Sequence, residues 1–355
     1  MSILDSRTEI KKIDQSGLLD SVEALGLQIQ DTLEQTQSFS VPPEYSQVKN
    51  VVVSGMGGSA LAAHIIKHAF KSELKVPFEV VSHYSLPNYV NADSLVLLSS
   101  YSGTTEETLQ AAVEAKSRGA KVMVITSGGK LAELAKAESW PLYQIQVNHN
   151  PCNQPRLAIG YALAGQLIMF GRAGIISDQS SVLSQVVKNL PALVTRLQPE
   201  STANNTAKML AYAAYDKHIV LVGAEHLIGA VHVANNQINE NSKVLTSEWS
   251  LPEFNHHYLE ALQFPKLAKD TTIFFLFNSA LYTERVHKRF PLTQTLIEQK
   301  GYEAHLIQAT APTVIEQIFE IIQLGEFVAN YLPILYGINP SPIPNVDWFK
   351  QEMAK

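Results

Sequence analysis

One cysteine stands among the 355 residues of this chain. With no second thiol, Cys152 excludes an intrachain disulfide framework and suits a reducing, cytoplasmic setting. Charge is scarce as well. Only 17% of the residues are Asp, Glu, Lys or Arg, and the formal net charge is −6. Lys and Arg form no long run, which argues against nucleic acid or an anionic membrane surface as a partner. The segment from Met1 to Asp20 lacks the apolar core of a signal peptide. No apolar stretch is read as long and charge-free enough to span a bilayer, and the longest candidate, Leu157 to Phe170, reads as a buried helix.

What the chain does have is a repeated strand–helix alternation. Val22, Leu25, Ile29 and Leu33 recur at helical spacing and predict one amphipathic helix in an N-terminal arm. Apolar, β-branched runs then predict strands at 51–54, 78–82, 95–99, 122–126 and 142–147. Helical patterns fall between them, and a long helix runs from about 157 to 172. Such strands, apolar on both faces, belong to a parallel sheet covered by helices. Gly174 to Ser180 reads as a link. A second, similar alternation follows, with strands at 218–222, 273–277 and 304–308 and helices near 182–197, 203–215, 229–241, 285–299 and 313–332. Strand 219–222 ending in Gly223 echoes strand 51–53 ending in Gly55, a weak internal duplication. The tail carries Pro340, Pro342 and Pro344 and is expected to be extended before a last helical turn.

Two hydroxyl-rich loops follow strands of the first half. One is Ser54-Gly55-Met56-Gly57-Gly58-Ser59-Ala60 and the other is Ser99-Ser100-Tyr101-Ser102-Gly103-Thr104-Thr105-Glu106-Glu107. Each leads into a helical pattern, and a helix N-terminus offers unpaired N–H groups and partial positive charge. Glycine lets the backbone approach an anion, and hydroxyls add donors without charge. A phosphate is the expected ligand. The first loop also satisfies a dinucleotide pattern at Gly55, Gly57 and Ala60. That pattern asks for an acidic residue at the end of the second strand, where Val81-Ser82-His83-Tyr84 stands instead.

Three further segments draw notice. Asn239-Glu240-Asn241-Ser242-Lys243 ends a helical stretch; as bare composition it is a solvated helix end. His256 and His257 are adjacent. Helical neighbours point about 100° apart and seldom share one ion, so no metal is expected. Arg156 opens an apolar helix, where a cation is disfavoured by the helix dipole, so it either snorkels to solvent or holds an anion. Lys350 stands alone in the last segment.

Taken together, these segments resemble the bifunctional phosphoglucose/phosphomannose isomerases of the sugar isomerase (SIS) fold. The resemblance rests on both loops, Pro155-Arg156, Asn239 to Lys243, Glu253-Phe254-Asn255-His256, and the tail from Asn339-Pro340-Ser341-Pro342-Ile343 to Lys350. The chain departs from the family at Leu61-Ala62-Ala63-His64, where further glycines and an aspartate are common, and at His257, where asparagine is usual.

The resemblance implies an α/β fold of two SIS-type domains, each a parallel sheet flanked by helices in three αβα layers. The expected division is a helical arm over 1–40, a first SIS domain over 41–173, a second over 174–335 and a tail over 336–355. The implied reaction interconverts hexose 6-phosphates through a cis-enediol. Glu240 would be the base, Arg156 would stabilise the enediolate, and His256 and Lys350 would open the sugar ring. Gly58, Ser59, Ser100, Ser102 and Thr105 would hold the phosphate, with no metal or redox cofactor. A homodimer whose site takes a histidine from the neighbouring subunit is implied as well. A SIS-type sugar-phosphate sensor and a phosphoheptose or amino-sugar isomerase are the alternative readings.

Overall fold

The computed structural model describes residues 2–353 and 355. Three helices open the chain: α1 (Arg7–Ile13), α2 (Leu18–Glu23) and α3 (Leu25–Gln35). The one helix expected from Val22 to Leu33 is therefore two. Ala24 N–H folds back onto Ser21 O and Val22 O, which ends α2 before α3 begins. Asp14 caps α2 by accepting from Leu18 N–H and Leu19 N–H at 2.9 and 2.8 Å.

The first sheet follows with β1 (Asn50–Ser54), α4 (Leu61–Ala69), β2 (Phe78–Val81), β3 (Ser94–Ser99), α5 (Glu106–Ser117), β4 (Lys121–Thr126), α6 (Gly129–Ala137) and β5 (Leu142–Gln144). Its strands run parallel in the order β2-β1-β3-β4-β5. Helices α7 (Ile159–Arg172), α8 (Ser180–Leu197) and α9 (Thr206–Ala213) lead to the second sheet. That sheet comprises β6 (His218–Ala224), α10 (Ile228–Gln237), β7 (Thr246–Leu251), α11 (Phe254–His257), α12 (Ala268–Thr271), β8 (Thr272–Ser279), α13 (Glu284–Gln299) and β9 (Glu303–Ala309). Its order is β7-β6-β8-β9, again parallel. Helices α14 (Val314–Leu335) and α15 (Pro344–Met353) finish the chain. Strands such as Val51 to Val53 and Leu95 to Leu98 are fully buried, as parallel strands under helices must be.

Three details differ from the sequence reading. β7 is a strand that the pattern did not announce. It is an edge strand of intermediate burial, and its Ser, Glu and Trp residues give no apolar run. The longest apolar stretch is α14 rather than Leu157 to Phe170. It alone among the described residues has the length and composition to cross a membrane, and 89% of its apolar window is buried inside the fold. A helix apolar all round is a core helix. The tail helix is ten residues long rather than one turn. Pro344 starts it, where a missing N–H costs nothing.

The halves meet where α4 crosses α10. Gly229 makes the approach possible: a Cβ there would stand 2.3 Å from Ile65 Cα. His64, one of the departures from the family pattern, lies at this crossing. Its ring centroid is 4.6 Å from that of His232. Burial, with further effect from His232, pulls the His64 imidazole down to about 4, so it is neutral at physiological pH.

Candidate active site

β1 and β3 are neighbours, so the loops leaving their C-terminal ends lie side by side. Gly57 has a φ of +49°, a left-handed conformation that glycine adopts without steric cost. Gly58 is pressed onto the next segment of the site, since a Cβ there would lie 2.8 Å from Arg156 N. The loops are tied together. Ser99 Oγ donates to Ser59 O at 2.7 Å, and Tyr101 N–H donates to Ser59 Oγ at 2.9 Å. Ser100 Oγ pairs with Thr105 Oγ1 at 2.9 Å, and Ser102 Oγ with Thr104 Oγ1 at 3.0 Å. Ser100 is buried, Ser59 and Thr105 are half-buried, and Ser102 is exposed. Ala60 and Thr105 are the N-cap residues of α4 and α5, and neither helix has a side-chain cap. No side chain therefore competes for the N–H groups that these helix starts can offer an anion, although Ala63 N–H in α4 already donates to Ala60 O at 3.1 Å.

Arg156 sits in a short 3-10 turn, Pro155–Leu157, and is only 1% exposed. It neither snorkels to solvent nor waits for a ligand: all five of its N–H donors are engaged within the chain. Nε donates to Asn241 Oδ1. One terminal nitrogen, Nη1, donates to Gln154 Oε1 at 2.8 Å and to Glu240 Oε2 at 3.2 Å. The other, Nη2, donates to Ser341 O at 2.8 Å and Pro340 O at 3.4 Å. Burial pulls the guanidinium below its ordinary value, and the Glu240 carboxylate opposes that.

Glu240 is carried on a π-helical turn, Ile238–Ser242, that extends α10. Such widened turns recur at functional sites. Its side chain is 30% exposed, so one face of the carboxylate meets solvent while the other meets Arg156. Lys243 closes the turn at φ +57°. The residue is exposed, yet its ammonium donates to Glu240 O at 2.8 Å, Asn241 O at 3.1 Å and Pro340 O at 2.7 Å. Desolvation, with the Arg156 charge adding to it, lowers that ammonium to about 8.

A narrow cleft beside the loops is lined by Gly58, Ser59, Ser99, Tyr101 and Pro155. A wider one, about 540 Å³, runs along the outer edge of β9 and contains none of the expected site residues. The polar groups that could handle a sugar phosphate therefore converge away from the larger void.

Comparison with known proteins identifies the family. The SIS domain family matches residues 44–168, and the bacterial phospho-glucose isomerase C-terminal SIS domain matches residues 203–353. A bifunctional phosphoglucose/phosphomannose isomerase from Caldicellulosiruptor bescii is 31% identical over 343 residues, covering 95% of this chain and 99% of that protein. The chain belongs to the bifunctional phosphoglucose/phosphomannose isomerase family. The family member from Aquifex aeolicus is 30% identical over 322 residues, covering 89% of this chain and 93% of its own. Among solved structures, a hypothetical protein from Thermus thermophilus shares the fold with a TM-score of 0.74 at 18% identity, over 99% of this chain and 93% of that one.

The residues on which the sequence resemblance rests fall into two groups. The loops, Arg156, Glu240, Asn241 and Lys243 are joined by direct contacts. His256 and Lys350 are not joined to them: both are exposed, and neither side chain has a hydrogen-bond or ion-pair partner among the described residues. His257 is held locally, 3.7 Å from Glu253 and edge-on to Trp249 at a centroid distance of 5.2 Å. Three contributors escaped the sequence reading: Gln154, the carbonyls of Pro340 and Ser341, and Gln237, whose Nε2 donates to Arg156 O at 2.9 Å. Gln154 adjoins the Pro155-Arg156 motif, which could have flagged it. Backbone carbonyls carry no such signal.

Proposed function

We propose that this protein interconverts glucose 6-phosphate and fructose 6-phosphate, and mannose 6-phosphate as well, by proton transfer between C2 and C1 through a cis-enediol. The observation that carries this reading is the Glu240 carboxylate, open on one side and 3.2 Å from Arg156 Nη1 on the other. Glu240 takes the C2 proton and returns it to C1, while the hydroxyl proton passes from O2 to O1. As it accepts that proton it loses its charge, and its hold on Arg156 weakens. Negative charge grows on the enediolate oxygen at the same moment. The hydrogen bond donated by Nη1 then turns from the carboxylate to the enediolate, the proton staying on Arg156, so a fully bonded arginine still stabilises the intermediate. Gly58, Ser59, Ser100, Ser102 and Thr105 bind the phosphate and hold C1 and C2 at the base. Mannose differs only at C2, and rotation about C2–C3 in the open chain presents either face to one carboxylate.

The test is a coupled assay with fructose 6-phosphate, run beside Glu240→Gln. Glucose 6-phosphate formation is expected, and the variant should lose about three decades of kcat while still binding substrate. Absence of turnover in the unaltered protein removes the isomerase reading. Near-normal turnover in the variant removes Glu240 from its role.

The active unit in this reading is a cytoplasmic homodimer. His256 and Lys350, the family's ring-opening groups, lie off the Glu240 cluster. The α15 helix that carries Lys350 buries no residue against its own chain. Trp348 is 62% exposed, Phe349 58% and Met353 64%. Apolar surface of this kind on one helix calls for a covering partner, and a second copy is the simplest one. Mixing inactive Glu240→Gln with inactive His256→Ala under subunit exchange should restore about a quarter of full activity, since half the dimers then hold one intact site. A dead mixture with proven exchange overturns the shared site.

A further inference from the structure

Helix α14 is apolar and buried along its length, yet Gln323, Glu326 and Asn330 form a polar stripe on it. At spacings of three and four residues they share one face. All three are at most 1% exposed. Glu326 has no ion-pair partner among the described residues. Its neighbours are amides. Gln237 Nε2 donates to Glu326 Oε1 at 3.1 Å, and Gln323 Nε2 approaches Glu326 Oε2 at 3.5 Å. The carbonyl oxygens of the same two amides, Gln237 Oε1 and Gln323 Oε1, are buried and accept nothing.

An ionised carboxylate in this place would be a buried charge without a counter-ion, which is prohibitively costly. A carboxylic acid fits instead: it adds one O–H donor to a cluster that has acceptors to spare. Burial independently pushes the Glu326 carboxyl well above the usual carboxylate range.

The amide that holds Glu326 also holds the catalytic segment. Gln237 Nε2 donates at once to Glu326 Oε1 and to Arg156 O, and Gln237 is the last residue of α10 before the turn that carries Glu240. Gln323 Nε2 donates to Val22 O at 2.9 Å, which anchors the far end of the stripe in α2. We infer that Glu326 is a positioning residue: as a neutral carboxylic acid it locks Gln237, and through Gln237 fixes the Arg156 backbone and the Glu240 turn relative to each other. This rests on the isomerase reading above, in which a small displacement of the base or guanidinium is costly.

Three variants test it. Glu326→Gln keeps shape, neutrality and a donor, and should leave kcat, KM and the pH profile within about twofold. Glu326→Leu and Gln237→Met remove the link from either end. Each should lower kcat about 10–100-fold, the order expected for a slightly displaced catalytic group, with KM within twofold because the phosphate loops are untouched. Infrared difference spectra should show a protonated-carboxyl band at neutral pH that Glu326→Gln abolishes. The inference is overturned if Glu326→Gln is as impaired as Glu326→Leu, if folded Gln237→Met turns over normally, or if the band is absent. If Glu326→Leu fails to fold, Gln237→Met and the infrared band still decide. Failure of the isomerase reading is separate: the unaltered protein would then lack turnover while the infrared band persisted.

Discussion

The two halves of the chain build the same frame and treat its loops oppositely. In each, the first strand ends in a three-residue turn whose first residue is left-handed, Gly57 at φ +49° and Glu225 at φ +42°. In each, the neighbouring strand leads to a helix whose N-cap is a threonine, Thr105 or Thr283. Position 57 has no side chain, and a Cβ there would meet nothing within 4 Å. At 225 a carboxylate reaches across to the second loop. It accepts from Thr283 N–H at 3.1 Å and from Thr283 Oγ1 at 2.6 Å. The second half thus supplies its own anion at the point where the first half carries no side chain, the place proposed above for the substrate phosphate. Gln317 of α14 fills the same region, bonded to His226 Nε2 at 2.9 Å and Ser279 Oγ at 2.6 Å. The same frame thus keeps its architecture while one copy ties its loops to each other, and in the proposed mechanism that copy contributes its base from the far end of α10.

The strongest way to break this comparison is to disable the loops in turn. Hydrogen bonds to a charged group contribute about 1.5–3 kcal/mol each. Ser100→Ala with Thr105→Ala should therefore raise KM for fructose 6-phosphate by about two decades. Thr283→Ala should leave it within twofold. Equal effects from both loops would show that the halves do not divide the work as described.

A smaller effect is expected at Lys243, which closes the base-bearing turn of the second half. Its ammonium is charged below about 8 and loses its proton above that. The positive field beside Glu240 and the substrate then weakens, so kcat/KM should fall on the alkaline side with an inflection near 8. In Lys243→Arg, where the charge does not titrate, that limb should move upward. An unmoved limb assigns it to another group.

Glu225→Ala sharpens the comparison with the least disturbance. It removes the bonds to Thr283 and should cost about 1 kcal/mol in denaturant unfolding, the usual range for a lost helix N-terminal partner. Turnover should stay unchanged. A large loss of kcat would place the second half's loops in the chemistry after all.

The strand–helix alternation was legible because most strands are buried on both faces and read as plain apolar runs, Val51 to Val53 and Leu95 to Leu98 above all. β7 was not, because an edge strand such as Thr246–Leu251 needs no continuous apolar run. Both loops and Glu240 could be read from local motifs and their family likeness. The state of Arg156 could not. Its burial depends on Asn241, 85 positions away, and on Ser341 O, 185 positions away. Glu326 offered a signal that went unread: an acid inside an apolar helix has to be held by something. The π turn left none, since it depends on how α10 meets α14 and the tail.

The contact of Arg156 and Lys243 with the Pro340 and Ser341 carbonyls has a consequence for how the enzyme is made. A nascent chain that has folded both sheets still lacks these two acceptors until the tail leaves the ribosome. The buried guanidinium is incompletely bonded until then, and the base-bearing turn is unclosed. Completion of this cluster should therefore come late and abruptly in translation, after both sheets have formed.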